Sequence, residues 1–384
     1  SSNLERLLYH VTGSDTEVAA LMTHVLCEEY GNPSSLHSRG VQAQLLIERA
    51  SRQLAAALGM KRGKGRILFT SGGTEANNLA LFGAAAALRR RGRQIVTTSV
   101  EHASVLESAK ELGTRGFEPV FLSPGPDGRI PVDALLSACS EDTIMVSMML
   151  VNNEVGAVQP IADPAVIREI RRRSPHALIH ADAVQAFCKH PFSMPALGLD
   201  MVTVSAHKIH GPKGSGALAL AEGARILPQL FGGEQQNRLR PGTENVAGIA
   251  ALGLAAENAF SHLEENRAAA AAVGARVRER LSGRKGIVFH SPQADCSPFL
   301  LNLSAVGYRS ETLLHALAAE EIYLSSGSAC SKGAKSHVLA AMGCPAAEID
   351  SALRLSFCKY NTPEQADRFA ETLQRITQTL RRSN

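Results

Sequence analysis

Short strand-forming segments alternate with helical sequence between residues 66 and 220, and this alternation constrains the fold more than any other feature. Strands that alternate with helices predict βαβ units, and therefore a mostly parallel sheet covered by helices on both faces. The predicted fold class is accordingly α/β. The seven predicted strands are RILFTS (66–71), QIVTTSV (94–100), EPVFLS (118–123), TIMVSMMLV (143–151), ALIHADAV (177–184), MVTVSA (201–206) and GALAL (216–220).

The sequence changes character after about residue 250, where a long Ala-rich stretch leads into a smaller α+β segment. We predict a large domain over residues 14–257 and a small C-terminal domain over 258–384, with residues 1–13 packing on the small domain. No internal repeat or low-complexity linker interrupts the chain.

Two helices can be placed from their periodicity. The first carries Val41, Leu45, Leu54 and Leu58 at helical spacing and stops at Gly59. The last begins at the capping pattern TPEQ (362–365). Its predicted apolar face consists of Phe369, Leu373, Ile376 and Leu380.

The charge balance excludes several classes of protein. Lys and Arg number 40 against 36 Asp and Glu, and the basic residues are scattered, so no nucleic-acid footprint is visible. No apolar run approaches the ~20 residues that cross a bilayer. We therefore predict a cytoplasmic protein that binds neither nucleic acid nor membrane.

Seven cysteines occur without a C-x-x-C pair, which argues against a disulfide framework and against a zinc site. Cys139, Cys188 and Cys344 lie in apolar or helical sequence and are predicted to be packing residues. Cys330 differs, because Ser, Gly, Lys and His surround it in SSGSACSKGAKSH. A cysteine in such a polar loop is either incidental or reactive.

Polar residues follow most of the predicted strands, and ligands of open α/β sheets bind beyond the carboxyl ends of the strands. Two glycines and Thr74 precede a helix after the first strand, which is typical of a phosphate site. A phosphate cradle, an acid, a planar ring and a lysine together suit pyridoxal 5'-phosphate. A metal ion held by His102, Asp182 and His207 is the alternative, but Lys208 beside those groups disfavours a cation, so we predict no metal site.

The motifs together resemble those of the cysteine desulfurases, which are members of the class V pyridoxal-phosphate aminotransferase superfamily. The resemblance runs from residue 31 to about 357. It implies the fold of type I pyridoxal-phosphate transferases, with a seven-stranded, mostly parallel sheet in the large domain. The matching motifs are GNPSSLHSRG, FTSGGTEANNLAL, TSVEHASVL, VNNEVGAVQPI, HADAVQAF, SAHKIHGPKGSGAL, LRPGTENV, SSGSAC and LRLSF.

The resemblance also implies roles for individual residues. Lys208 would hold the cofactor as a Schiff base, His102 would stack on its ring and assist proton transfer, and Cys330 would be the nucleophile. Asp182 would pair with the ring nitrogen, and Arg354 would bind the substrate carboxylate with Asn153 beside it. The remaining cofactor contacts implied are Asn153 and Gln185 to the ring hydroxyl, Gly73, Thr74, Ser205 and His207 to the phosphate, and Thr243 to the phosphate of the neighbouring subunit in a homodimer.

The implied reaction removes sulfur from L-cysteine, which leaves L-alanine and a persulfide on Cys330. A sulfur-acceptor protein, either a scaffold or a sulfurtransferase, would receive this sulfur for iron-sulfur clusters or for another sulfur-containing cofactor or tRNA. Two alternatives remain: a selenocysteine lyase or other β-elimination enzyme on the same fold, and a weakened homologue that acts in assembly. The second rests on residues 9–14, where the sequence departs from the family pattern.

Overall fold

The computed structural model describes residues 13–327 and 335–380. The predicted nucleophile Cys330 and the divergent residues 9–12 therefore lie outside the described residues. Within the described part, ten strands form two sheets. The strands are β1 (Gly65–Thr70), β2 (Gln94–Thr98), β3 (Glu118–Leu122), β4 (Thr143–Met149), β5 (Leu178–Asp182), β6 (Met201–Ser205), β7 (Gly216–Ala221), β8 (Ile287–Phe289), β9 (Leu300–Ala305) and β10 (Ala352–Ser356).

The larger sheet has the order β1-β7-β6-β5-β4-β2-β3. Strands β2 to β6 pair in parallel, whereas β7 runs antiparallel to both β6 and β1. Every residue of β4 and β6 is buried, as expected for strands covered by helices on both faces. The predicted mostly parallel, seven-stranded sheet is confirmed, and each predicted strand overlaps an observed one.

The smaller sheet is antiparallel and has the order β10-β9-β8. The helices that accompany the two sheets are α1 (Thr16–Cys27), α2 (Ser38–Ala57), α3 (Gly73–Leu88), α4 (Ala103–Thr114), α5 (Val132–Ala138), α6 (Pro164–Arg173), α7 (Met194–Leu197), α8 (Val246–Ser261), α9 (Leu263–Leu281), α10 (Ser310–Ala318), α11 (His337–Ala341), α12 (Ala346–Asp350) and α13 (Pro363–Thr379).

The apolar residues around the smaller sheet form a core of their own, which β9, β10, α9, α10 and α13 supply. The predicted capping of α13 is confirmed, since the Thr362 backbone N–H donates to Gln365 Oε1 at 3.3 Å. Residues Phe369, Leu373 and Ile376 of its predicted apolar face are buried. The division at residues 257 and 258 falls inside α8 and stays a prediction.

Among the described residues, no single helix is both long and apolar enough to cross a membrane. Helices α8 and α9 pass such a test only as a pair, by length and composition, and a bend of 72° separates them. Nine of the residues of α8 are buried in the protein.

Helices α2 and α8 pack closely over the sheet, and Gly253 of α8 makes the approach possible. A Cβ placed on Gly253 would lie 2.7 Å from Ala50 Cα and 2.8 Å from Ala50 Cβ. The C-terminal half of α2 buries Leu54, as its periodicity predicts, but Val41 in the N-terminal half is 48% exposed. The described residues therefore leave Val41 and Leu45, at 48% and 46% exposure, largely uncovered.

We predict that Gly253→Ala destabilises the protein although alanine is the better helix former. The overlap with Ala50 costs about 1–3 kcal/mol, which exceeds the roughly 1 kcal/mol gained in helix propensity. The free energy of unfolding in urea measures the difference. Gly274→Ala on α9 is the matched control, because its Cβ would meet only the edge of the Phe357 ring, at 3.3 Å. Equal stability changes in the two variants would contradict this account.

Candidate active site

The carboxyl ends of the parallel strands bring four predicted site residues to one edge of the large sheet. Asp182 ends β5 and Ser205 ends β6. Lys208 closes a single 3-10 turn directly after β6. His102 follows β2 and is the N-cap residue of α4. Asp182 and Lys208 are buried, at 6% and 8% exposure, so the site lies inside the protein and not on its surface.

Asp182 is held by two hydrogen bonds. Its Oδ1 accepts from the Val184 backbone N–H at 3.0 Å, and its Oδ2 accepts from Asn77 Nδ2 at 2.8 Å. The same Asn77 amide nitrogen also donates to Ser104 Oγ, at 2.8 Å. A buried carboxylate needs such partners, because an unpaired one costs several kcal/mol.

His102 is oriented by the same network. Its Nδ1 lies 2.8 Å from Ser104 Oγ and accepts from the Ser104 backbone N–H at 3.2 Å, so the neutral ring carries its hydrogen on Nε2. Burial lowers the pKa of His102; the charge of Asp182 opposes this shift, and that of Lys208 adds to it. The imidazole is therefore uncharged at neutral pH.

Asn77 and Ser104 were not predicted from the sequence. Asn77 lies one turn into α3, and only its position within the TSGGTEANN motif after β1 could have drawn attention to it. The contact to Asp182 joins residues 105 apart in the chain, so no local pattern reveals it.

The N-terminus of α3 lies against the ends of β5 and β6. A Cβ on Gly73 would come within 2.9 Å of Val184 Cγ2 and 3.7 Å of Ser205 Cβ. The first N–H groups of a helix have no acceptor within it, and they attract anions. The structure thus places the predicted phosphate contacts Gly73, Thr74 and Ser205 around one helix terminus.

His207 contacts Ser205 beside the same helix terminus. Its Nδ1 lies 2.8 Å from Ser205 Oγ. Burial lowers the pKa of His207 to about 4, with further contributions from Lys208 and other cations. A neutral ring is able to donate one hydrogen bond without adding charge.

A second group of site residues comes from the loop after β4 and from β10. Arg354 of β10 is 1% exposed, and its Nη1 donates to the Asn153 backbone oxygen at 3.0 Å. The side chains of Asn153 and Gln185 are also buried. Asn153 Oδ1 has no hydrogen-bond partner among the described residues.

Two buried carboxyl groups adjoin the site. Burial raises the pKa of Glu101 to about 8, although its Oε1 accepts from the Met149 backbone N–H at 3.0 Å. Glu154 is fully buried beside Asn153, and Ser336 Oγ donates to its Oε2. The sequence predicts no role for either group, because a glutamate within a motif does not reveal its burial.

The chain on both sides of residues 328–334 meets Glu154. A Cβ on Gly327 would lie 3.5 Å from Glu154 Oε2, and His337 Nδ1 lies 3.9 Å from Glu154 Oε1. His337 Nε2 also donates to the Glu101 backbone oxygen at 3.1 Å. The described residues that flank Cys330 in sequence are thus attached beside the site.

Thr243 does not lie beside the other predicted site residues of its own chain. It is exposed on the loop between Leu239 and α8. Its neighbour Arg240 is tied to α3, because Arg240 Nε donates to Glu75 Oε1 at 2.8 Å.

The donor set fits a phosphorylated pyridine aldehyde. Asn153 Oδ1 and Asn77 Oδ1 are buried polar atoms without partners in the described structure. A helix terminus offers backbone N–H groups to a phosphate, and a buried lysine and a buried aspartate lie at neighbouring strand ends. The fold and these side chains match the class of two-domain α/β enzymes that bind a phosphorylated aldehyde cofactor through a lysine.

Comparison with known proteins specifies the family. Residues 12–369 match the family Aminotransferase class-V, so the chain belongs to that family. A relative described as a NifS/IcsS protein homolog from Lactobacillus delbrueckii subsp. bulgaricus is 40% identical, over 98% of this chain and 99% of its own. A protein named cysteine desulfurase from Trichormus azollae is 39% identical, over 96% of this chain and 92% of its own.

A solved structure described as a NifS-like protein superimposes on this chain with a TM-score of 0.91. It is 35% identical in sequence, and the match covers 98% of this chain and all of the other. The family resemblance inferred from the motifs is confirmed.

We predict that Asn77→Ala weakens cofactor binding by about tenfold to a hundredfold. Removal of the amide leaves the buried Asp182 carboxylate short of one hydrogen bond, which costs about 1–3 kcal/mol. The cofactor retained after dialysis, measured by its visible absorbance, tests this. Asn258→Ala is the matched control, because Asn258 Nδ2 likewise donates to a carboxylate, Glu17, but at the surface. Equal retention in both variants would rule out a role for Asn77.

Proposed function

We propose that the protein is a pyridoxal 5'-phosphate-dependent cysteine desulfurase that moves sulfur from L-cysteine to Cys330 and releases L-alanine. One observation carries the proposal: a buried lysine, a buried aspartate and a neutral histidine meet at the carboxyl edge of the sheet, and the buried Arg354 is bonded to the loop after β4. The relatives named above support the choice of reaction.

Side chains at the carboxyl edge of the sheet and the terminus of α3 would hold the cofactor. Lys208 would bind its aldehyde carbon, and Asp182 would hold a proton on the ring nitrogen. The terminus of α3, with Thr74, Ser205 and His207, would bind the phosphate, and the side chains of Asn153 and Gln185 would bind the ring hydroxyl. When bound, pyridoxal phosphate withdraws electrons from the substrate carbon to which it is joined.

Arg354 orients the substrate in this proposal. Its guanidinium is buried and already anchored to the Asn153 backbone oxygen, so little side-chain entropy is lost when it binds the carboxylate of L-cysteine. The planar fork of arginine accepts a carboxylate through two parallel hydrogen bonds.

His102 and Lys208 handle protons. The network through Ser104 leaves the hydrogen of the neutral His102 ring on Nε2, so His102 begins the cycle as a donor. The Lys208 amine would take the α-proton of the substrate. His102 would therefore act first as a proton donor and Lys208 as a proton acceptor, so that the two residues carry out different proton transfers.

Cys330 carries out the sulfur transfer. Its thiolate attacks the substrate sulfur, so that an S–S bond forms on Cys330 while the bond between the substrate sulfur and its β-carbon breaks. The electron pair of the broken bond stays on that carbon, which takes up a proton to give alanine. A serine in this position neither attacks sulfur as readily nor carries it afterwards.

The proposal also includes a homodimer. Leu36 and Phe231 are 99% and 87% exposed. Pro33 and Glu234, each three residues away from one of them in sequence, line a single cleft of about 570 Å³. Exposed apolar groups gathered on one face of a monomer indicate an interface. Thr243 is exposed in the same part of the molecule, where it would reach the phosphate site of the partner subunit.

A protein that accepts the persulfide sulfur completes the list of proposed partners. We place this step in the supply of sulfur to iron-sulfur clusters or to another sulfur-containing cofactor or tRNA.

We expect Cys330→Ala to lose persulfide formation while it keeps the cofactor. After incubation with L-cysteine, mass spectrometry should find one added sulfur atom on the Cys330 peptide of the parent protein. Sulfide release by the variant should fall at least a hundredfold, with the visible absorbance unchanged. Cys27→Ala, at an exposed cysteine on α1, is the control. Added sulfur on another cysteine with an unmodified Cys330 contradicts the mechanism.

Cleavage of selenocysteine by the Cys330→Ala variant distinguishes a cysteine desulfurase from a selenocysteine lyase. Retained selenocysteine cleavage together with lost desulfuration supports the desulfurase. Activity on both substrates without Cys330 would favour the lyase, since neither reaction would then need the thiol.

For the dimer, we expect Phe231→Glu to shift the protein from dimer to monomer, because two buried charges would face each other across a symmetric interface. Analytical ultracentrifugation measures the shift. Phe260→Glu, at a partly exposed phenylalanine near the end of α8, should leave the dimer intact. Unchanged dimers in both variants would show that this face is not the interface.

A further inference from the structure

Three metal-ligating side chains converge outside the proposed active site. His290 follows β8, Cys344 lies between α11 and α12, and Glu348 is in α12. His290 Nδ1 lies 3.7 Å from Cys344 Sγ and 3.9 Å from Glu348 Oε2. All three ligand atoms are within 4.8 Å of one another. None of these residues takes part in the proposed reaction.

The hydrogen bonds around His290 turn a lone pair toward the other two groups. Ser304 Oγ donates to the Glu348 backbone oxygen, at 2.6 Å, because a carbonyl can only accept. The only hydrogen of that hydroxyl is thus committed, so at 2.7 Å it accepts from His290 Nε2–H. Nδ1 of the neutral ring is therefore unprotonated, and it faces Cys344 and Glu348.

This arrangement is the one that metal-binding histidines commonly adopt, in which the second ring nitrogen donates to an oxygen and so fixes the tautomer. The Nδ1 lone pair of His290 therefore faces the position that a metal bound to Cys344 and Glu348 would occupy.

The separations are close to those of a tetrahedral zinc site. Zn–N bonds of about 2.0 Å and Zn–S bonds of about 2.3 Å place nitrogen and sulfur ligands roughly 3.5 Å apart. The observed 3.7 Å and 3.9 Å need to contract by only a few tenths of an ångström. Rotation of the Cys344 and Glu348 side chains, both partly exposed, can supply that movement.

We propose that His290, Cys344 and Glu348 bind a divalent transition-metal ion of the zinc class, with water as the fourth ligand. One nitrogen, one thiolate sulfur and one carboxylate oxygen form a donor set that suits Zn²⁺ better than Mg²⁺ or Ca²⁺. Binding forms a metal–sulfur bond and releases the Cys344 thiol proton to solvent. No oxidant or reductant is required.

The ion would fasten the α11–α12 connection to the smaller sheet. Cys344 and Glu348 flank the start of α12, whereas His290 is bonded to Ser304 of β9. Helix α11 begins at His337, which donates to the Glu101 backbone oxygen. A metal at Cys344 would therefore hold the far end of the segment whose His337 contacts Glu101 beside the proposed active site.

Zinc titration of the metal-free holoenzyme, followed by calorimetry, tests the proposal. The parent protein should bind at least one equivalent of Zn²⁺, and Cys344→Ser should bind one equivalent fewer. Cys27→Ser, at an exposed cysteine far from His290 in sequence, is the matched control and should bind as the parent does. Equal stoichiometry and affinity in the parent and Cys344→Ser would overturn the proposal and leave a thiol-to-imidazole hydrogen bond as the whole role of the pair.

A second variant tests whether a loss of Zn²⁺ binding comes only from misfolding. Glu348→Gln keeps the size of the side chain, and we expect it to weaken Zn²⁺ at this site at least tenfold while the far-ultraviolet circular dichroism stays unchanged. With Co²⁺ as the probe, a thiolate-to-metal absorption band should appear in the parent and in Cys27→Ser but not in Cys344→Ser. The same band in Cys344→Ser would place the bound ion on another cysteine and contradict the assignment.

Discussion

A buried carboxylate at the end of β5 governs the organisation of the site. Asp182 is 6% exposed, and an isolated charge at that depth is too costly to keep unless other groups compensate it. The Asn77 amide and the Val184 backbone N–H provide that compensation. Because Asn77 also bonds Ser104 Oγ, which lies 2.8 Å from His102 Nδ1, the groups that satisfy this carboxylate also orient His102. The positions of α3, α4 and β5 are thereby linked through side chains and not only through the packing of the core.

Much of this arrangement follows from the sequence. Alternation of apolar strands with helices predicts the sheet, and the rule that ligands bind at the carboxyl ends of strands places Asp182 and Lys208 at one edge. What the sequence does not predict is the set of groups whose role comes from burial. Asn77, Glu101 and Glu154 lie within recognisable motifs, yet only the folded structure reveals that they are buried and which partners they contact.

The exposed half of α2 shows a second limit of prediction from the sequence, because here a predicted apolar face is not buried. Helical spacing predicts an apolar stripe through Val41, Leu45 and Leu54, and the helix is confirmed, but only Leu54 of these three is buried within the chain. Periodicity identifies a face that needs a partner and does not specify whether the partner belongs to the same chain. For Cys344, similarly, apolar neighbours in sequence predict packing, whereas His290 comes from a segment 54 residues earlier in the chain.

Strand β10 forms backbone hydrogen bonds with the chain that precedes Cys330. The Arg354 backbone N–H donates to the Ser325 oxygen at 2.7 Å, and the Ser325 N–H donates to the Arg354 oxygen at 3.4 Å, so β10 and the chain that leads to Cys330 are joined by one backbone bridge. Cys330 is the fifth residue after Ser325, and five residue steps of fully extended chain span about 17 Å. In the proposed reaction, the Cys330 thiol therefore cannot act farther from Ser325 than this length allows. A proposed acceptor of the sulfur would have to bring its own reactive group within the same reach.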